Sequence, residues 1–338
     1  MMRRMGLTGA ALTTLMILAT GCPPTGTAIH VDDDSACATG CGDAANPWPT
    51  IAQGLAAATA GATVHVNAGT YAESELAIPV DGLTLEGDGP EATFINNGGA
   101  DVTAIRVWGR DGVTIRNLAI EQNRQGINVW RNGATPTTNL TVTGCAFFVN
   151  DPYGSIQLSD VAGATITDNH FVGDNLSNPV AGSVGAGVNA TGLTIGGNIF
   201  EVGQIGVEVT DGAQATVTGN GFYSMFGDAI RVGSGANGRG TATIENNTIE
   251  EAGGHGIRSW GGANLSITGN SIVSGGINGI TLIDTQTAAI TNNTMIWGNA
   301  FWGISCEADP STAITCSNNN IAFNGDGSIN GCGAACVN

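Results

Sequence analysis

The stretch TVTGNGFYSMFGDAIRVGSGANGRGTATIENNTIE at residues 216–250 contains the pattern that decides the fold. Its opening, TVTGNGF (216–222), returns as TIENNTI (243–249). Seven more windows share the pattern: TIRNLAI (114–120), TVTGCAF (141–147), TITDNHF (165–171), TIGGNIF (194–200), SITGNSI (266–272), AITNNTM (289–295) and TCSNNNI (315–321). Successive windows are 22 to 29 residues apart, which is typical of a solenoid whose turns are built from short strands.

Two positions of this window predict how the turns stack. The fifth position is asparagine in seven consecutive turns, from Asn169 to Asn319, and Cys145 occupies it one turn earlier. The seventh position is apolar: Ile120, Phe147, Phe171, Phe200, Phe222, Ile249, Ile272, Met295 and Ile321. Equivalent side chains of successive turns stack about 4.8 Å apart in a parallel β-helix. We therefore expect an asparagine ladder beside an apolar core, with Cys145 as a buried free thiol.

A second strand follows each window. Its copies are AIRVW (104–108), GINVW (126–130), SIQLS (155–159), GVNAT (187–191), GVEVT (206–210), AIRVG (229–233), GIRSW (256–260), GITLI (279–283) and GISCE (303–307). Alternation places Ile or Val inside and the next residue outside. The pattern predicts an all-β parallel β-helix of about ten turns, roughly 50 Å long. Residues 50–58 have an N-cap and apolar spacing of three and four, so we expect a short α-helix that caps the N-terminal end.

The segment NPWPTIAQGLAAATAGATVHVNAGTYAES (46–74) resembles the opening of right-handed parallel β-helix proteins of the pectate-lyase-like superfamily. That opening combines a Pro-aromatic-x-Thr-Ile segment, a capping helix and a V-x-V-x-x-G-x-Y strand. With the repeats, the resemblance extends over about residues 29 to 325. It implies the right-handed fold and a glycan groove along the outward face of the second strand. It does not imply one activity, because one fold supports many.

The N-terminus has the features of a bacterial lipoprotein signal. Arg3 and Arg4 precede the apolar run GLTGAALTTLMILA, and Cys22 follows Ala19-Thr20-Gly21. This arrangement resembles the lipobox, which implies cleavage after residue 21 and lipidation of Cys22. We therefore expect a protein of the cell envelope, at the outer membrane or cell surface, that contacts the membrane only through its anchor.

The chain divides into four predicted parts: a signal peptide (1–21), an N-terminal linker (22–45), the β-helix (46–325) and a cysteine-containing tail (326–338). Its eight cysteines suit an oxidising compartment. Closeness in sequence favours three disulfides, although other pairings stay open. These are Cys37 with Cys41, Cys306 with Cys316, and Cys332 with Cys336.

Charge restricts the partners. The chain has no lysine, and without residues 1–21 its 8 arginines face 28 acidic residues, a net charge of −20. Such a chain repels nucleic acid, so we expect no nucleic-acid partner. Asp160, Asp211 and Asp284 each follow an outward strand. They could hold Ca²⁺ together with nearby carbonyls, or simply form turns, and no other cofactor is indicated.

The outward positions of the second strand predict a carbohydrate-binding face. These positions are Arg106, Asn128, Gln157, Asn189, Glu208, Arg231, Arg258, Thr281 and Ser305. Two positions further on lie Trp108, Trp130 and Trp260. Aromatic faces beside guanidinium and amide groups suit the C–H faces and hydroxyls of sugars. We assign ligand binding to Arg106, Trp108, Asn128, Trp130, Gln157, Asn189 and Trp260; a solvated face with scattered tryptophans is the alternative.

Catalysis would fall to Glu208, Arg231, His255 and Arg258. One basic group would abstract a proton while another neutralises a carboxylate, although a surface ion-pair stack explains the same column. His255 in Gly-His-Gly-Ile resembles the Gly-His-Gly of polygalacturonases, but that family's paired Asp and Arg-x-Lys pattern are missing. The Arg-x-Pro-x-x-Arg of pectate lyases is absent too. Asp151-Pro152-Tyr153 has Tyr where mannuronan epimerases have His.

The sequence therefore favours a lipid-anchored envelope protein that binds polysaccharide along one strand face. Two alternatives stay open. The first is a polysaccharide lyase, epimerase or hydrolase that uses the four residues above. The second is a structural surface rod or adhesin.

Overall fold

The computed structural model describes residues 28–96, 102–121, 125–148, 154–173, 183–307, 313–333 and 336. The predicted signal peptide, Cys22 and residues 151–153 lie outside these ranges. Within them, three long parallel sheets run the length of the chain, and one α-helix is present. Each turn contributes one strand to each sheet in the same order, which confirms the predicted solenoid.

The first sheet is formed by Ala28–Val31, Thr63–Val66, Thr84–Gly87, Thr114–Arg116, Thr141–Thr143, Thr165–Thr167, Leu193–Gly196, Gln214–Thr218, Thr241–Glu245, Asn264–Thr268, Thr287–Thr291 and Ile314–Ser317. The second sheet is formed by Gly69–Tyr71, Thr93–Asn96, Ala119–Glu121, Ala146–Phe148, His170–Val172, Ile199–Glu201, Gly221–Tyr223, Thr248–Glu250, Ser271–Val273, Met295–Trp297 and Ile321–Ala322. The third sheet is formed by Leu76–Ala77, Thr103–Trp108, Gln125–Trp130, Ile156–Leu158, Val184–Ala186, Val207–Val209, Ile230–Val232, Ile257–Ser259, Ile280–Ile283, Trp302–Glu307 and Gly327–Asn330. Thr137–Thr138 also pairs with Val161–Ala162, and Ser234–Gly235 forms a hairpin with Gly238–Arg239.

The asparagine ladder occupies the bend between the first and second sheets. From Asn169 to Asn293, each side-chain Nδ2 donates to the Oδ1 of the next turn at 2.7 to 3.1 Å, and the series ends at Asn319. Each Oδ1 within this run also accepts the backbone N–H of the preceding turn. These bonds satisfy polar groups inside the bend, where an unpaired amide would cost free energy. The structure confirms the expected single file.

The ladder begins at Cys145. Its backbone N–H donates to Asn169 Oδ1 at 3.0 Å, and its thiol is buried and unpaired. Burial raises the pKa of the thiol to about 12. Thiolate chemistry therefore has no support at this position.

The apolar stack follows the ladder inside the second sheet. Phe147, Phe171, Phe200 and Phe222 stack with ring centroids 4.7 to 4.8 Å apart. The predicted member Met295 is wrong, because it is 36% exposed and Ile296 pairs with Ile272 in its place. The extra residue shifts the strand by one position, which exchanges its inward and outward faces.

The N-terminal end is capped by the helix Ile51–Ala57. Thr50 Oγ1 accepts the Gln53 N–H, and the Glu73 carboxylate accepts the N–H groups of Ile51 and Ala52 at 2.6 and 2.9 Å. The helix buries Ile51 and Leu55 over the end of the solenoid. The sheets extend past the predicted range 46–325, since Ala28–Val31 pairs with Thr63–Val66 and Gly327–Asn330 pairs with Trp302–Glu307.

The disulfides correct part of the local pairing. Cys37 pairs with Cys41 as expected, but Cys306 pairs with Cys332 and Cys316 with Cys336. Cys306 and Cys316 lie on strands of different sheets, in positions where each faces the returning C-terminal segment. Both bonds therefore fix that segment to the last turn, which closeness in sequence could not indicate.

Candidate functional site

The outward positions of the third sheet form one column, which we call the binding face. In register along the chain it contains Arg106, Asn128, Gln157, Gly185, Glu208, Arg231, Arg258, Thr281 and Ser305. Thr281 and Ser305 are buried, so the accessible part of the column ends at Arg258. All predicted members are present except one.

Asn189 does not belong to the binding face. Gly185 pairs with Gln157 and Glu208 instead, because the strand is Val184–Ala186. Asn189 has a positive φ of 54° in the following turn, and its amide donates to Asp160 at 2.8 Å. The sequence SVGAGVNAT offers two similar strand registers, and the four-residue difference decides which residue faces outwards.

The first cluster on this face is the tryptophan patch, defined as Arg106, Trp108, Asn128 and Trp130. Trp108 and Trp130 are neighbours in register, and they are 41% and 40% exposed. Trp108 Nε1 donates to Asn128 Oδ1 at 2.8 Å, and the Arg106 guanidinium lies 4.9 Å from the centre of the Trp108 ring. Arg106 also pairs with Glu75. The polar groups of the patch therefore hold the first indole in place.

Trp260 lies apart from this patch. Five strand steps separate the register of Trp130 from that of Trp260, or roughly 24 Å. Its ring packs directly on Gly233, where a Cβ atom would collide with it. The structure therefore does not bring the three tryptophans into one cluster.

The second cluster is the charged patch, defined as Glu208, Asp228, Arg231, His255 and Arg258. The buried Asp228 carboxylate accepts from Arg231 Nε at 2.7 Å and from the His255 backbone N–H at 2.7 Å. The same carboxylate lies 3.7 Å from Arg258 Nη1. One buried acid thus holds both guanidinium groups of the charged patch.

The His255 ring connects the charged patch to the next turn. Its Nδ1 lies 2.8 Å from Thr281 Oγ1, and Asn278 Nδ2 donates to the same hydroxyl at 2.9 Å. Asn278 Oδ1 accepts the Trp302 backbone N–H at 2.9 Å. This chain of contacts fixes the orientation of the imidazole.

Two groups of the patch have shifted pKa values. Burial raises the pKa of Glu208, an effect that Arg231 opposes and Asp211 reinforces. Burial lowers the pKa of His255, while Asp228 opposes this shift. A carboxyl group and an imidazole whose pKa values are both shifted by burial on one face are typical of a functional site.

Sequence reasoning missed Asp228. It lies three residues before Arg231, and the same spacing connects Gln125 to Asn128 at 3.1 Å and Asn278 to Thr281 at 2.9 Å. Gln125, Asp228 and Asn278 are all buried. Buried polar residues three places before an outward polar residue were the available signal.

Exposed side chains flank the charged patch on both sides. Phe226, just before Asp228, is 43% exposed, and Phe301 further along the same edge is 47% exposed. On the other edge, the hairpin 234–239 extends towards later turns, where Arg239 Nη1 donates to Gln286 Oε1 at 2.5 Å. The patch therefore lies between two edges that carry exposed residues.

The three aspartates considered as calcium ligands lie in turns of the backbone. Asp160, Asp211 and Asp284 have φ values of 48°, 52° and 48°. Within the described ranges, the one group of acids or histidines close enough to share a metal ion is Asp32, Asp33 and Asp34. These residues lie at the N-terminal end, where Asp32 and Asp34 line a cavity of about 510 Å³. No described helix is long and apolar enough to cross a membrane.

Several solved structures share this fold. The A-module of the mannuronan C-5 epimerase AlgE4 from Azotobacter vinelandii is 19% identical, with a TM-score of 0.57 over 81% of this chain and 90% of its own. A polygalacturonase from Erwinia carotovora is 13% identical, with a TM-score of 0.59 over 90% and 96%. PfbA, a surface adhesin of Streptococcus pneumoniae, is 13% identical, with a TM-score of 0.59 over 82% and 84%. At these identities the likeness shows the fold alone.

A search of curated proteins found no match. The family description "right handed beta helix region" matches residues 81–220 and 205–337, well over half of the chain. The three sheets, the asparagine ladder and this match agree. The chain belongs to the right-handed β-helix family and has the pectate-lyase-like fold.

Proposed function

We propose that this protein binds polysaccharide along the binding face and is held in the cell envelope by a lipid on Cys22. The observation that supports binding is the pair Trp108 and Trp130, in register and each about two-fifths exposed. Of the other described aromatic side chains, Phe226, Phe301 and Phe323 are at least as exposed, and the rest are buried or half-buried. Rigid indoles beside amides present a surface suited to sugar rings.

The structural neighbours support a glycan partner. One of them is named as a mannuronan C-5 epimerase, and another is named as a polygalacturonase. These two names favour a polysaccharide partner for this chain as well, although the chain has its own set of residues. The strongly negative net charge favours a neutral glycan, or an acidic one held at the arginines of the face.

A glycan array with the purified full chain tests the binding. We expect signal on a limited group of polysaccharides and loss of that signal in the double variant Trp108→Ala, Trp130→Ala. The variant Phe323→Ala also removes an exposed aromatic, just after the last strand of the second sheet and away from the binding face, and provides the control. No signal on any glycan would contradict the proposal and favour a structural rod or adhesin.

The charged patch supports a second candidate, an enzyme that acts on the bound chain. The specific observation is that Glu208, with a raised pKa, and His255, with a lowered pKa, lie beside two arginines. A lyase creates an absorbing double bond, so ultraviolet assays on uronate polymers test it. Activity that survives Arg231→Ala would exclude this patch as its site.

Anchoring has a separate test. Expression in bacteria with labelled palmitate should label the wild type and leave Cys22→Ala unlabelled. Cys145→Ala is the control, since the thiol of Cys145 is buried. An unlabelled wild type would contradict the anchor and leave glycan binding unaffected.

A further inference from the structure

The two ring nitrogens of His255 have different surroundings. Nδ1 contacts the Thr281 hydroxyl at 2.8 Å. Nε2 makes no hydrogen bond with the described residues. Four buried side-chain nitrogens lack a partner there, namely Trp48 Nε1, Arg116 Nε, Arg258 Nε and Trp297 Nε1. His255 Nε2 is not one of these enclosed atoms, so it is not fully shielded from solvent, and the residue as a whole is 8% exposed.

The direction of the hydrogen bonds around Thr281 follows from one backbone group. The Trp302 N–H can only donate, so the atom of Asn278 that faces it is the carbonyl oxygen. Asn278 Nδ2 then faces Thr281 Oγ1 and donates to it. The hydroxyl proton of Thr281 needs an acceptor, because this side chain is fully buried. His255 Nδ1 is the acceptor at hydrogen-bond distance.

We infer that Asn278 and Thr281 are positioning residues that hold His255 neutral with its proton on Nε2. In that form His255 donates a hydrogen bond to an oxygen of a bound sugar and cannot accept a proton at Nε2. Its assignment as a catalytic base would then be wrong. Glu208 remains in the patch as the group able to exchange a proton. The identity of the ligand rests on the proposed function, whereas the tautomer does not.

The charges that face the ring leave this tautomer in place. Asp228 and Glu307 favour the imidazolium form, while Arg231, Arg258 and burial oppose it. A cationic ring would also place a proton on Nδ1, against a hydroxyl whose own proton would then lose its acceptor. The carboxylate of Asp228 accepts the backbone N–H of His255, not a ring N–H. The ring Nδ1 of His255 faces the Thr281 hydroxyl.

Nitrogen-15 NMR of the full chain, labelled at its four histidines, tests this inference directly. The signal of His255 is identified by its loss in His255→Gln. We expect Nδ1 at the shift of an unprotonated nitrogen and Nε2 at the shift of a protonated one at pH 7. A protonated Nδ1, in either the neutral or the cationic ring, would overturn the inference.

Variants separate positioning from folding. Thr281→Val removes the hydroxyl and should make the two neutral tautomers comparable in population, while Thr281→Ser should keep the wild-type spectrum. Asn278→Asp replaces the donor by an acceptor, so the Thr281 hydroxyl should turn to it and the proton should move to Nδ1. Thr243→Val, on the outward side of the first sheet, is the control. An Asn278→Asp spectrum identical to the wild type would contradict the relay.

The donor role needs one further measurement. Saturation with the best oligosaccharide from the glycan array should move the Nε2 signal by forming a new hydrogen bond. Saturation that leaves Nε2 unchanged would overturn the donor role even if the tautomer is as expected. A chain that binds no glycan at all contradicts the proposed function but leaves the tautomer result valid.

Discussion

The tryptophan patch and the charged patch lie on the same sheet face but use their polar groups differently. In the tryptophan patch, Arg106 and Glu75 are each about one-third exposed, and their pairing leaves two indoles open to solvent. In the charged patch, Asp228 is 3% exposed, and Arg231, Arg258 and the His255 backbone N–H converge on its carboxylate. The tryptophan patch leaves aromatic surface free for contact, whereas the charged patch uses its polar groups in ion pairs and hydrogen bonds with one another. The difference teaches that contact and chemistry can be separated along one solenoid.

The largest expected effect is loss of the buried acid. Asp228→Asn would leave two guanidinium groups without a counterion, and we expect about 3 kcal/mol less free energy of unfolding. Glu75→Gln, which neutralises the half-buried partner of Arg106 beside the tryptophan patch, should cost no more than about 1 kcal/mol. Urea unfolding of both variants measures this. Similar losses would show that the patches do not differ as described.

The second effect concerns ligand affinity. Trp130→Ala should weaken binding of an array-selected oligosaccharide about tenfold, or roughly 1.4 kcal/mol, because an exposed aromatic contact is lost. Trp260→Ala should instead reduce stability, since its ring packs on Gly233. Isothermal titration and urea unfolding of both variants distinguish the two results. Equal affinity losses would mean that Trp260 belongs to the same contact surface.

The third effect is a dependence on pH. The pKa of His255 is lowered from its usual 6.5, so the unfolded chain binds its proton at a higher pH than the folded chain does. The contribution is fully present above pH 6.5 and is lost as pH falls towards the folded pKa, by at most about 1.4 kcal/mol per unit. The wild type should therefore lose more stability than His255→Gln between pH 7.5 and 5.5. Parallel losses would contradict the burial of a neutral imidazole.

The smallest effect tests whether one ligand spans both patches. A Cβ at Gly185 would meet the end of the Gln157 side chain, which can move aside. Gly185→Ala should therefore change stability by less than about 0.5 kcal/mol. If a single glycan crosses the space between the patches, its affinity should fall severalfold. Unchanged affinity would show that each patch binds separately.

The sequence predicted the solenoid because its strongest signals are local and repeated. A buried amide must be satisfied in every turn, so Asn169 to Asn319 marked the bend without ambiguity. Register was less certain where two candidates lay close together. Gly185 lies four positions from Asn189, and Ile296 lies next to Met295. In each pair, only packing against the neighbouring turns decides which residue takes the predicted strand position.

Contacts between residues distant in sequence were harder to predict. Cys306 and Cys316 each pair with the C-terminal segment because the chain folds back there, and nothing in their spacing encodes that return. Asp228 lies just before the strand Ile230–Val232, and its place in the sequence did not identify it as the partner of two arginines. A second short ladder, in which Asn299 Nδ2 donates to Asn324 Oδ1 at 2.8 Å, was also missed because it has only two members.

The asparagine ladder makes the length of the molecule adjustable. Every amide donates in the same direction, so the two sides of any cut between Asn198 and Asn247 match each other. Duplicating one coil there would lengthen the protein by about 4.8 Å while each side chain still finds its partner. The spacing between the exposed indoles and the arginines can therefore change in increments of one coil.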